Sequence, residues 1–208
     1  MVALVLVVML FTLIPVGSGG GQRARLQEVI FEFDRAVRFA VNESILRNSI
    51  TRLSIDMDKD PMEYVVEYGT SANIILPQIE DETRMSIKDR EQQLKLFKSL
   101  DSQFSRVDEF ADEAKKLPDD VEVIGIASSY LNLIKADGNV SIYFYPTGER
   151  DNSLIFISTE EELASFDIPP FEDITNVDYY TYSQTDLVNL EDSQDNKMKD
   201  IFEKWLKD

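Results

Sequence analysis

The residues that most invite a chemical reading are a run of alternating acids. Asp56-Met57-Asp58-Lys59-Asp60-Pro61, with Glu67 beyond it, puts carboxylates at positions 1, 3, 5 and 12 of a calcium-binding loop. The sixth position of such a loop needs glycine for a sharp turn, and Pro61 cannot take those dihedrals. Helices flank a calcium loop, whereas strand-like sequence flanks this one, so the run reads as an acidic hairpin turn. Ser128 and Ser129 have no histidine to activate them and no lysine motif beside them, which leaves a nucleophile without its base. Paired carboxylates are the tools of glycoside hydrolysis. With 39 Asp and Glu among 208 residues, however, pairs arise by chance and the sequence singles none out. Gly17 to Gly21 is no phosphate loop, because no Lys-Ser/Thr follows it and no strand precedes it. The acidic clusters Glu160-Glu161-Glu162 and Asp186 to Asp195 read as solvated surface, with weak divalent-cation binding left open.

Two absences narrow the chemistry further. The chain has no histidine and no cysteine. That removes the Ser-His-Asp triad, the histidine-ligated metal, the zinc-thiolate site, the cysteine nucleophile and the disulfide. A net charge of −18 opposes binding to a phosphate backbone, so no nucleic-acid partner is expected. The expectation is a protein that is not an enzyme, with no catalytic residues, no cofactor and no metal. A hydrophobic content of 43% is enough for a real core.

The elements that would carry a non-catalytic function are unevenly built. Residues 1–50 hold five arginines and four acids, a net of +1, which leaves −19 on residues 51–208. From Met1 to Gly21 no side chain is charged. Val2, Leu4, Val5, Leu6, Val7, Val8, Leu10, Phe11, Leu13 and Ile14 form an apolar run closed by Pro15 and Val16. As a helix its sixteen residues span about 24 Å, short of the ~30 Å hydrocarbon core by about four residues. A buried core helix, a cleavable secretory signal lacking its basic start, and a membrane anchor short of its beginning all remain open on the run alone.

After the break Ser18-Gly19-Gly20-Gly21, residues 22–48 carry the stripe Leu26, Val29, Ile30, Phe33, Val37, Ala40, Val41 and Ile45 of an amphipathic helix. Leu26, Val29, Ile30, Phe33, Val37, Val41 and Ile45 are the expected stalk-to-sheet contacts. The packing is expected above all in the C-terminal half, while the N-terminal part is open to contacts with neighbouring subunits. Arg25, Glu28, Glu32, Arg35 and Arg38 line the other face, and Asn48 is a suitable terminator. Strands follow at Ile50–Met57 and Met62–Tyr68, joined by the acidic turn, with a short third at Asn73–Leu76. Residues 78–118 read as a helical insertion with the stripe Leu94, Phe97, Leu100, Phe104, Val107 and Phe110. It is either a solvated helix or hairpin on the sheet or a partner-binding element. Val121–Ala127, Val140–Tyr145 and Ser153–Ser158 read as strong strands, and a last one is expected near Tyr179–Ser183. Residues 197–207 read as a C-terminal helix, with Met198, Ile201, Phe202, Trp205 and Leu206 on one side. Trp205 is read as core or as an anchor docked on the sheet.

The apolar segment broken by proline, the amphipathic helix running on from it, the stretch FAVNESILRNSITRLSIDMD and the strand MEYVVEYG resemble the type IV pilin and pseudopilin family. VSIYFYPTGERDNSLIFIS resembles the C-terminal sheet of minor pseudopilins of type II secretion, most of all the H-type group. The likeness covers roughly residues 1–76 and 119–159, with the stalk as its strongest part. Family members begin with a basic leader, a glycine before the cleavage point and a Phe-Thr-Leu-[Ile/Leu]-Glu-like start. Met1-Val2-Ala3-Leu4 looks like the continuation just after that glutamate, so an in-frame leader is expected upstream of Met1. Phe11 to Pro15 mimics the cleavage motif, but no glycine precedes it.

The resemblance implies an α+β, pilin-like fold. A long N-terminal helix (membrane segment 1–21, amphipathic stalk 22–48) would pack on an antiparallel sheet in a globular head, 49–208. It implies a minor pseudopilin held by one pass in the bacterial inner membrane, head in the periplasm. Its expected partners are other pilin-like subunits and secretion-machinery components. Arg23 and Arg25 on the C-terminal side run against the positive-inside tendency, which a basic leader would reverse. A minor pilin of a type IV pilus for motility or DNA uptake remains open, as does a membrane-anchored or secreted periplasmic binding module unrelated to pili.

Overall fold

The computed structural model describes residues 19–72, 86–128 and 133–207. The apolar run, including every residue from Val2 to Pro15 expected in the membrane, lies outside the described residues, as does the strand expected at Asn73–Leu76. Among the described residues no helix is long and apolar enough to cross a membrane.

The architecture is α+β: an N-terminal helix, two antiparallel sheets and a C-terminal helix. Helix α1 runs Gly19–Arg47 and takes in Gly19, Gly20 and Gly21, which the sequence reads as a break. It ends as expected at Asn48, whose φ of 49° is the left-handed conformation that asparagine tolerates. Asn48 N donates to Ile45 O at 3.3 Å and Ser49 N to Ser44 O at 3.1 Å, which satisfies the last helical carbonyls.

Strands β1 (Thr51–Asp56) and β2 (Glu63–Gly69) form the expected hairpin. Helix α2 (Ile87–Asp101) is capped by Ser86 and leads into two short strands, β3 (Phe104–Arg106) and β4 (Lys115–Lys116). Both strands pair with β2, so the second half of the segment expected to be a helical insertion belongs to the sheet. The apolar spacing misleads because it feeds two clusters. Phe97, Leu100 and Phe104 pack on one side with Tyr143 and Tyr145, while Val107 and Phe110 join the main core. The side chain of Leu94 lies outside the described set.

The remaining strands are β5 (Glu122–Ser128), β6 (Leu133–Lys135), β7 (Asn139–Phe144), β8 (Ser153–Ser158), β9 (Glu162–Ile168) and β10 (Asn176–Thr181). Helix α3 (Leu190–Trp205) starts earlier than the sequence suggests and leaves Leu206 beyond its end, 42% exposed. The strands divide into two sheets where the sequence suggested one. Sheet A has the order β3-β2-β1-β7 with β4 also on β2, and sheet B the order β10-β9-β8-β5-β6. The division follows from burial. Every residue of β8 is buried, so it needs cover on both faces and neighbours on both edges. Ile155 and Ile157 face the main core, and Leu154 and Phe156 face Met198 and Phe202 of α3. Strand β9, missed in the sequence because Glu160-Glu161-Glu162 masks its start, supplies Ala164, Phe166 and Ile168 to the same core.

Helix α1 lies where the two sheets meet, against β1, β2 and β7 of sheet A and β9 of sheet B. Phe33 is fully buried between them. Its ring sits 5.0 Å from Tyr64 of sheet A in an edge-on arrangement and 6.4 Å from Phe166 of sheet B.

Candidate assembly face of the first helix

The buried stripe of α1 is Leu26, Val29, Ile30, Phe33, Ala36, Val37, Ala40 and Ser44. Its members recur at spacings of three, four and seven residues, so one side of the helix is inside from Leu26 to Ser44. The packing begins at Leu26, well into the N-terminal half that the sequence left open to neighbouring subunits. Val41 is half-buried against the core. Ile45, expected on the packed face, is 50% exposed. The 3.6-residue repeat carries the buried line from Val37 and Ala40 to Ser44, and Ile45 rotates outward. Ser44 is accommodated inside because its hydroxyl donates to Val41 O at 2.7 Å and Tyr145 O at 3.0 Å. Thr51 Oγ1 donates to Ala40 O at 2.7 Å, a second polar tie between helix and sheet A.

The flanks of the helix are charged, and their partners explain the asymmetry of the sequence. Arg23 reaches Glu162 at 3.0 Å, Arg25 reaches Asp120 at 2.8 Å, and Arg47 reaches Glu109 at 3.1 Å. Three arginines of a near-neutral segment thus answer acids of the strongly negative remainder. Arg38 pairs with Asp34 at 2.8 Å and Arg35 with Glu32 at 3.3 Å along the helix itself. Glu32 also accepts from Lys115 of β4 and from the Tyr64 hydroxyl at 3.5 Å. The Lys115 hydrogen bond is the main reason its carboxyl is held below the usual range. No local pattern marks the Arg23–Glu162 and Arg25–Asp120 pairs in the sequence, since 139 and 95 residues separate their members.

The third side of α1 faces outward. Ala24, Gln27, Glu28, Phe31, Arg35, Arg38, Asn42, Ile45 and Leu46 are all exposed, Phe31 by 66% and Leu46 by 78%. Exposed large apolar side chains at the middle and at the C-terminal end of one helical face, with paired charges between them, make a surface suited to another helix.

Elsewhere the acids are engaged locally. Asp58 Oδ1 accepts from Gly138 N at 2.9 Å, Lys59 sits 2.6 Å from Glu63 and 3.7 Å from Asp56, and Glu67 pairs with Arg52 at 2.7 Å. The calcium-like run is therefore a hairpin turn tied to the Asp137-Gly138 turn beside it. Among the described residues no group of three or more acids is placed to hold a metal ion. Arg52 is buried on the outer side of sheet A, over the Phe104 ring and bonded to Glu67 and Asp101 at 2.7 Å each. Burial works to lower its pKa, but the two carboxylates outweigh that and raise it. Trp205 is half-buried against sheet B and donates from Nε1 to Asp167 at 2.8 Å. Ser129 lies outside the described residues.

No family model, curated protein or solved structure matches this chain.

Proposed function

We propose that the chain is a structural assembly subunit of the pilin type, a minor pseudopilin of a type II secretion system. In this reading the apolar residues 1–16 hold it in the bacterial inner membrane as a single pass, and the sheets form a periplasmic head. The observation that carries the reading is the build of α1. One side of this 29-residue helix is clasped along its length by two sheets, and the opposite side presents Phe31, Ile45 and Leu46 outward. Directly before it in sequence stands the uncharged run Met1 to Val16.

A helix held this way is a rigid rail. Its inner side orients the head, its outer side is free for a second helix, and its beginning continues toward the apolar run. Filament growth would bury the outward residues against neighbouring pilin-like subunits, and the head's negative surface would select the polar contacts around them. The work is assembly, which asks no catalytic group of the chain.

Deleting the gene and measuring secretion of exported proteins tests this reading. Loss of secretion with the proteins retained in the periplasm is expected. Unchanged secretion together with unchanged pilus function would overturn it, and loss of pilus function alone would favour the minor-pilin reading.

A further inference from the structure

The described sheet edges differ in how they are protected. Strands β3, β4 and β6 are two or three residues long. The end of β7 is covered, because Tyr143 O accepts from Asp151 N at 2.9 Å and Tyr143 N donates to the Asp151 carboxylate at 3.1 Å. Strand β10 is different. It is six residues long, pairs among the described strands with β9 alone, and contains no proline, lysine or bulge.

Its hydrogen-bonding direction follows from its register. Tyr182 N donates to Glu161 O at 2.9 Å, one step beyond the paired residues Thr181 and Glu162. Antiparallel pairs alternate, so the even-numbered residues of β10 exchange bonds with β9 and the odd-numbered ones face away. The N–H and C=O groups of Val177, Tyr179 and Thr181 therefore point along an open edge, with no partner among the described residues.

The even side chains add a second observation. Asn176, Asp178 and Tyr180 line a cavity of about 390 Å³ between β10 and α3, together with Asp200, Lys197 and Trp205. The Lys197 ammonium lies over the Tyr180 ring at 4.5 Å, and Asp167 at the same cavity is taken up by Trp205 Nε1 and Asn176 Nδ2. Asp178 and Asp200 make no ion pair or hydrogen bond through their carboxylates among the described residues. An open edge beside a cavity with two unused carboxylates, lined also by Lys197, Lys204 and the Trp205 ring, is suited to an extended chain carrying Arg or Lys at alternate positions. A net charge of −18 favours a basic partner and opposes a second copy of the chain.

We propose that β10 is a docking edge for an extended basic segment of a partner protein, which adds to sheet B as a sixth strand and sets a cationic side chain in the cavity beside Asp178 and Asp200. This goes beyond the assembly reading and does not rest on it.

The test titrates the full chain with the synthetic peptide Thr-Arg-Val-Arg-Val-Arg-Thr, capped at both ends, and with its Glu-for-Arg counterpart, while following amide hydrogen exchange. The Arg peptide should slow exchange at Val177, Tyr179 and Thr181 by about tenfold or more near saturation, and the Glu peptide should not. Tyr179→Pro removes an outward donor without touching the β9 ladder and should weaken Arg-peptide binding by about tenfold. Asp178→Asn with Asp200→Asn should weaken it too and flatten its salt dependence. Unchanged exchange at the three amides up to about 1 mM peptide would overturn the proposal. So would full-strength binding by either variant. Protection that rises with protein concentration in the absence of peptide would assign the edge to a second copy, and would overturn it as well.

Discussion

The Arg23 guanidinium donates to Glu162 Oε1 at 3.0 Å and so joins the start of α1 to the first residue of β9. Glu162 is a buried residue, and the same oxygen accepts from Thr181 Oγ1 at 3.1 Å. Arg23 also lies 5.6 Å from the centre of the Tyr179 ring. One ion pair thus gathers the helix and two strands of sheet B.

Arg23 is half exposed, so solvent screens the pair and its coupling should be modest. A double-mutant cycle with Arg23→Ala and Glu162→Gln should return about 0.5–1 kcal/mol by denaturant unfolding. Glu162→Ala alone should cost more than Arg23→Ala, because it removes the shared acceptor of both the Thr181 hydroxyl and the Arg23 guanidinium.

Phe33 should be the most costly single truncation in α1. It is fully buried and touches aromatic rings from both sheets. Phe33→Ala should lose about 3–5 kcal/mol, whereas Phe31→Ala on the outward face should stay within about 0.5 kcal/mol. Chemical denaturation of the two variants checks the contrast.

Two glycines should respond with opposite signs. Nothing lies within 4 Å of where a Cβ at Gly21 would stand, so Gly21→Ala should stabilise the helix by about 0.5–1 kcal/mol. At Gly125 a Cβ would come within 2.8 Å of Ile134 Cγ2 and 3.1 Å of Met198 Sδ. Gly125→Ala should therefore displace Ile134 of β6 and crowd Met198 of α3, at a cost of about 1–3 kcal/mol. Thermal melts of both variants read the difference.

Acid should weaken the hold of α1 on sheet A through Glu32. Its folded pKa lies below the ordinary 4.5, chiefly through the Lys115 hydrogen bond. A depressed carboxylate contributes its stability above the unfolded value and loses it as pH falls through the folded one. Stability should drop on acidification below about pH 4.5, and Glu32→Gln should remove part of that slope. Unfolding midpoints measured between neutral and acid pH test both statements.

The legible parts of the fold were those written in local periodicity. The stripe from Leu26 to Val37, the terminator Asn48, the β1–β2 hairpin and the apolar run Leu154–Ile157 inside the Ser153–Ser158 strand all declare themselves within a few residues. What stayed hidden depends on distant partners. Glu162 looks solvated until Arg23 and Thr181 are placed beside it, and β9 was lost with it. Phe104 has helical spacing from Phe97 and Leu100, yet it sits in a strand because Gly69 of β2 lies opposite. Ile45 looked inward because apolar character alone cannot tell which of two adjacent helical positions the sheet reaches, and a serine with two carbonyl acceptors took the inner one. Of the candidate assembly face, the buried side could be read from the sequence and the exposure of Leu46 could not.

The most direct test of the central claim uses the absence of cysteine, which makes any introduced thiol unique in the chain. Phe31→Cys and Leu46→Cys place a thiol on the outward face of α1, and Val37→Cys places one inside. Thiol cross-linking in the native host's membranes, with the products identified by mass spectrometry, should join the two outward variants to other pilin-like subunits. It should leave the inward variant unlinked. No adduct from either outward variant in cells with active secretion, or recovery of the full-length chain away from the inner membrane, would contradict the account.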